Sequence, residues 1–84
     1  MTSKPVTRCD SAKDRDEFIA GYFYASYLSE HALDIPDAEE VAAKPSGYRY
    51  DVDVCKRVRT GLGNSVPWCQ GYACASLLLS QVEV

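Results

Sequence analysis

Gly-Tyr-Phe-Tyr-Ala-Ser-Tyr-Leu at residues 21–28 and Gly-Tyr-Ala-Cys-Ala-Ser-Leu-Leu at residues 71–78 share the pattern Gly-Tyr-x-x-Ala-Ser-x-Leu. The match extends backwards, since Phe18 stands three residues before Gly21 and Trp68 three before Gly71. A glycine followed four residues later by an alanine leaves a bare groove on one face of a helix, where a second backbone can approach closely. The expectation is a helical fold in which the two copies pack on each other, within one subunit or across a twofold axis. The flanking charges differ: the first copy sits on an amphipathic helix and the second on an uncharged one, so they are not equivalent halves of a repeat.

The helix boundaries follow from end signals. Ser11 with Asp14, then Asp16 and Glu17, marks a helix start running to about residue 32. Phe18, Tyr22 and Ser26 form one apolar line, and Ile19, Phe23 and Tyr27 the next, which together predict a wide buried face. Asp34, Pro36, Asp37, Glu39 and Glu40 predict a short helix over 36–43, ended by Lys44-Pro45-Ser46-Gly47. Residues 48–54 alternate like a half-buried strand. Yet Val52, Cys55, Val58 and Leu62 keep helical spacing, Asp51 and Asp53 lead, basic residues follow, and Gly61 resembles a C-cap, so a helix over 51–60 is favoured. Asn64-Ser65 and Pro67 open a last helix over 66–81. The fold class is therefore all-α, a single domain over 1–84 with a bundle of three to four helices and residues 1–10 as an N-terminal arm; α+β with 48–54 as a strand is the alternative.

The 84 residues make a thin core, which small chains supplement with disulfides, metal or a second subunit. The net charge of −3 is unevenly distributed: residues 30–53 carry a net −5 and residues 54–84 a net +2. This mild acidity argues against nucleic-acid backbone binding and suits a partner with a basic surface. From Thr60 to Val82 there is no Asp, Glu, Lys or Arg. Polar residues interrupt that stretch too often for a membrane span, so it reads as a helix buried on all sides, in part against a second copy. No secretory apolar run opens the chain, which points to the cytoplasm and to reduced thiols at Cys9, Cys55, Cys69 and Cys74.

Several chemistries are open to these side chains. Cys69 in the first turn of a helix has the setting of an activated thiolate, but His31 is the sole histidine and reaches it only through the fold. Cys69 and Cys74 are five apart and point about 140° from each other on a helix, so they share neither a metal ion nor a disulfide. A zinc site would draw Cys9, Cys55 and one of that pair together with His31, and an oxidised form would join Cys9 to Cys55. The stretch Arg57, Arg59, Gly61, Gly63, Asn64 and Ser65 has the basic side chains, glycines and helix start that hold an anion, without the full pattern of either common nucleotide loop. Flat tyrosine faces suit stacking, with Tyr22, Tyr27 and Tyr72 read as core.

The leading expectation is a non-enzymatic protein that occupies a macromolecular partner. Its contact surface combines exposed tyrosines with acids: Tyr24, Glu30, Asp34, Asp37, Glu39, Glu40, Tyr48 and Tyr50. Small phage or mobile-element proteins that block a host machine or defence system are of this kind. No cofactor or metal is expected. A phosphate- or nucleotide-binding protein using the loop 56–65 is the second expectation, and a cysteine-based redox or metal protein the third.

Overall fold

A computed structural model describes residues 11–62 and 65–82, the last residues of α3 with their backbone only at Leu62. The expected arm at 1–10, and with it Cys9, lies outside the described residues. Four helices form: α1 (Ala12–Tyr27), α2 (Ala38–Ala43), α3 (Val52–Leu62) and α4 (Val66–Ser80), with 3₁₀ turns at Ala32–Asp34 and Pro45–Gly47. The chain is all-α, and the strand alternative for 48–54 fails. Asp51 is the reason. Its Oδ1 accepts from the backbone N–H of Asp53 at 3.0 Å and of Val54 at 3.1 Å, while its own N–H donates to the Ala73 carbonyl of α4. The start of α3 is thus capped and tied to α4 at one residue.

Other boundaries shift for local reasons. Ser11 caps α1 by accepting from Asp14, as expected. The helix stops at Tyr27 instead of near residue 32, because the Ser29 hydroxyl takes the N–H of His31 and the Ser29 N–H turns back to Ser26. Asp37, not Asp34, caps α2, and the helix begins two residues later than expected. Pro36 stays outside it, with its carbonyl accepting the Tyr22 hydroxyl at 2.6 Å. Gly61 lies inside α3 and is not its C-cap.

The central contact is between α1 and α4. A Cβ at Gly21 would land on the carbonyl oxygen of Trp68, and one at Gly71 on the carbonyl oxygen of Phe18. Each glycine therefore meets the carbonyl three residues before the other glycine, a reciprocal crossing in which backbone touches backbone. The helices run in the same direction: the Ser65 hydroxyl donates to the Glu17 carboxylate at 2.7 Å, and seven residues further on both helices the Tyr24 and Tyr72 rings lie 6.0 Å apart. Parallel helices in contact through glycine and alanine one turn apart are the small-xxx-small arrangement. Ala25 and Ala75 are buried beside the glycines.

Around this pair, α2 packs on α1 and α3 on α4. The core comprises Phe18, Tyr22, Val41, Ala42, Cys74 and Ala75, with Ile35, Tyr48 and Tyr50 against its edge. In α4, Cys69, Gln70, Gly71, Ala73, Cys74 and Ala75 are all buried within one subunit. The enclosure that its composition demanded is supplied by the same chain in that stretch, and no second copy is required for it. The expected second apolar line of α1 is buried only in part: Ile19 packs against the core, whereas Phe23 is 63% and Tyr27 77% exposed. The faces of α1 toward α4 and α2 are occupied by the first line, and among the described residues no further element covers Phe23 and Tyr27. No helix among the described residues is long and apolar enough to cross a membrane.

The crossing generates a contrast among glycines. Gly21→Ala and Gly71→Ala should each lower stability by about 2 to 3 kcal/mol, since a backbone must move to admit the methyl group. Gly61, with open space around it, should tolerate alanine and gain about 0.5 to 1 kcal/mol from helix propensity. Urea denaturation of the three variants measures both signs; equal effects at all three positions would refute the close crossing.

Candidate functional site: an acid-rimmed apolar groove

The uncovered line of α1 forms one wall of a groove. Phe23 and Tyr27 are one turn apart on the helix and stack, with ring centroids 6.4 Å apart. The early stop of α1 turns the chain at Ser29 and sends residues 32–36 back past them. Leu33, fully exposed in the 3₁₀ turn, makes the opposite wall, and Ile35 and Pro36 the floor, around a space of about 470 Å³. Leu28, 62% exposed, adds apolar surface at the end of the helix. Scattered exposed apolar residues are ordinary, but several sharing one concavity are not.

The rim is acidic. Glu30, Asp34, Asp37, Glu39 and Glu40 are all exposed, and residues 28–43 contain no Lys or Arg. Asp37 itself lines the groove. His31 Nδ1 lies 3.7 Å from Asp34 Oδ2, so protonation of the imidazole would offset one of these charges. The sequence reading named the acids as contact candidates and passed over the apolar residues that line the groove, Phe23, Tyr27 and Leu33. Tyr24 is 48% exposed, as expected of a contact residue, but one side packs on Trp68 and Tyr72. Tyr48 and Tyr50 pack against the core, and burial pushes the Tyr50 phenol up from its ordinary range. Those two are chiefly structural. Tyr72 is half-buried rather than core, stacked on Trp68 at 5.6 Å and 14°.

The expected anion loop is dispersed. Gly63 and Asn64 lie outside the described residues. Ser65 caps α4 by accepting from Trp68 and gives its own proton to Glu17, so a carboxylate of the chain already stands at that helix start. Arg59 acts on the thiols of Cys55 and Cys69, whereas Arg57 lines a separate pocket between α3 and α4.

Burial pushes the thiols of Cys55, Cys69 and Cys74 up from their ordinary range, which favours the neutral form. Burial raises Cys69 above its ordinary value, which outweighs the nearby Arg59 and reverses the depression expected of a helix start. Because α1 and α4 are parallel and cross at Gly21, Cys69 sits beside the middle of α1, while His31 lies beyond its C-terminal end against Asp34; the structure does not bring them together. Cys55 and Cys74 are free thiols, and Cys69 and Cys74 share one regular helix, where they do not pair with each other. Among the described residues no group of three or more His, Cys, Asp or Glu is placed to hold a metal ion.

Burial also pushes Cys74 up from 9.0 to about 11 and raises the Tyr22 phenol strongly, with Cys74 adding to the latter. Groups whose folded pKa is raised contribute stability that is complete below the unfolded value and lost as pH rises through the folded one. Stability should therefore be flat around neutral pH, decline above pH 9.0 as the unfolded thiols ionise first, and lose the Cys74 contribution through about 11. Urea midpoints across that range test this, and Cys74→Ala should shallow the decline; a midpoint that rises with alkalinity would contradict it. Comparison with known proteins returned nothing: no family model, no curated protein and no solved structure matches the chain.

Proposed function

We propose that the chain is a non-enzymatic binding protein that acts by occupying a macromolecular partner, and that the groove between α1 and residues 29–38 is where the partner docks. The observation that carries this reading is the convergence of Phe23, Tyr27 and Leu33 on one open concavity with Asp37 in its lining and further acids close by in the sequence. Such a surface fits a protein segment that presents an apolar anchor flanked by Lys or Arg. The anchor fills the groove and excludes water, which supplies affinity, while the carboxylates draw the basic flanks in and fix their register.

Charge also bears on the alternatives. Two copies meeting groove to groove would oppose their acidic rims, so the face suits a basic partner better than itself. Self-association through α4 has less support than its composition suggested, because residues 69–75 are enclosed by the same chain. A phosphate or nucleotide site over 56–65 is opposed by the Glu17 carboxylate at the head of α4. A small cytoplasmic protein of this design, one contact surface on a compact helical support, fits the manner in which phage and mobile-element proteins block a host machine or defence system.

Affinity capture from native host extract tests the reading. Tyr27 and Leu33 are exposed, so Tyr27→Asp with Leu33→Asp should change unfolding free energy by no more than about 0.5 kcal/mol per site and abolish capture of the partner that the unmodified protein retains. Glu30→Lys with Glu40→Lys should slow association and weaken its salt dependence. Capture undiminished by the first pair would remove the groove from the interaction.

A further inference from the structure

A second concavity lies between α3 and α4. Val54, Arg57 and Val58 span one turn of α3, and Tyr72 and Ser76 one turn of α4, around about 380 Å³. This is the small end of the range for ligand pockets. Its chemistry is divided. Val54, Val58 and the Tyr72 ring supply an apolar floor, and Arg57 supplies a single positive charge. Among the described residues Arg57 has no acidic partner, and the Ser76 hydroxyl makes no hydrogen bond. That hydroxyl differs from its counterpart in the other copy of the sequence pattern, since Ser26 donates to the Tyr22 carbonyl at 2.9 Å. A helical serine left without that back-bond keeps its donor for another acceptor.

We propose that this pocket binds a small monocarboxylate carried on an apolar chain, with Arg57 and Ser76 holding the carboxylate and the two valines receiving the chain. One guanidinium matches one carboxylate in a bidentate pair. A phosphate dianion is a poorer match, because the neighbouring cations are turned elsewhere: Lys56 and Arg59 point about 100° and 200° around the helix from Arg57, and Arg59 acts on Cys55 and Cys69. The site is separate from the acidic groove and does not depend on its role.

The test is titration of the ¹⁵N-labelled full chain with octanoate, followed by amide chemical shifts. Saturable shifts are expected at Val54, Val58 and Ser76. Octanamide, which keeps the chain and lacks the charge, should bind at least about tenfold more weakly, and inorganic phosphate should not saturate these amides. Arg57→Gln keeps the side-chain stem and helix propensity at an exposed position, and should weaken octanoate binding roughly ten- to hundredfold, as loss of a charge-assisted pair predicts. Ser76→Ala should weaken it several-fold. Absence of saturation by octanoate, equal binding of octanamide, undiminished affinity in Arg57→Gln, or shifts centred instead on Phe23 and Leu33 would each overturn the proposal.

Discussion

The reciprocal contact of Gly21 with the Trp68 carbonyl and of Gly71 with the Phe18 carbonyl is the constraint on which the rest depends. It brings two helix backbones together where side chains would normally separate them, and gives each glycine Cα–H a carbonyl acceptor. It also couples two segments fifty residues apart. Because α1 and α4 run the same way, the chain must return the full length of a helix between them, and residues 28–65 do so. That return path is long enough to carry α2 and α3, which cover the two sides of the central pair. The parallel arrangement sets two helix dipoles side by side, which is unfavourable. Glu17, bonded to the cap residue Ser65, places a negative charge at the positive end of α4 and offsets part of that cost.

The same crossing decides what is left outside. The line Phe18, Tyr22, Ala25 with Gly21 is committed to α4 and α2, and two short helices cannot also cover the line Phe23, Tyr27. Had α1 continued to residue 32, Leu33 would have been carried away from those rings. Ser29 prevents this by capturing the His31 N–H, and the chain doubles back to bring Leu33, Ile35 and Pro36 opposite. The Tyr22 hydroxyl then holds Pro36 from beneath. A core tyrosine thus fixes the groove floor, and the apolar groove is a direct product of how the helix ends.

Elements whose information is local were legible in the sequence. Ser11 and Ser65 each cap the helix that their spacing announced, Asp51 stands at the helix start where its charge placed it, and the small residues at 21, 25, 71 and 75 marked the close approach. The errors arose where a choice depended on distant contacts. Periodicity identifies lines of apolar residues on α1 but not how many neighbours will be present to cover them, so Phe23 and Tyr27 read as core. Asp34 and Asp37 are equally good caps by type; the bond from Tyr22 to Pro36 selects the second. Arg57 and Arg59 look like a cluster in the sequence, yet two residues of helix turn them to different surroundings. The acids of the groove were visible because a run of like charge is a local property. Its apolar half was hidden because burial is not.

The duplicated pattern itself is best understood as a property of the crossing. In a reciprocal parallel contact each helix must offer the same surface to the other: a glycine, an alanine one turn on, and a carbonyl three residues before the glycine. That requirement accounts for the shared glycine and alanine, but not for the shared tyrosine, serine and leucine. Where the helices leave each other, the copies part company. Tyr22 is buried and bonded to Pro36, whereas Tyr72 stacks on Trp68; Ser26 bonds its own helix, whereas Ser76 faces a pocket. The polar remainder of each copy is adapted to a different neighbour. Packing explains the shared glycine and alanine, and the two concavities occur at positions where the rest of the shared pattern has been put to unlike uses.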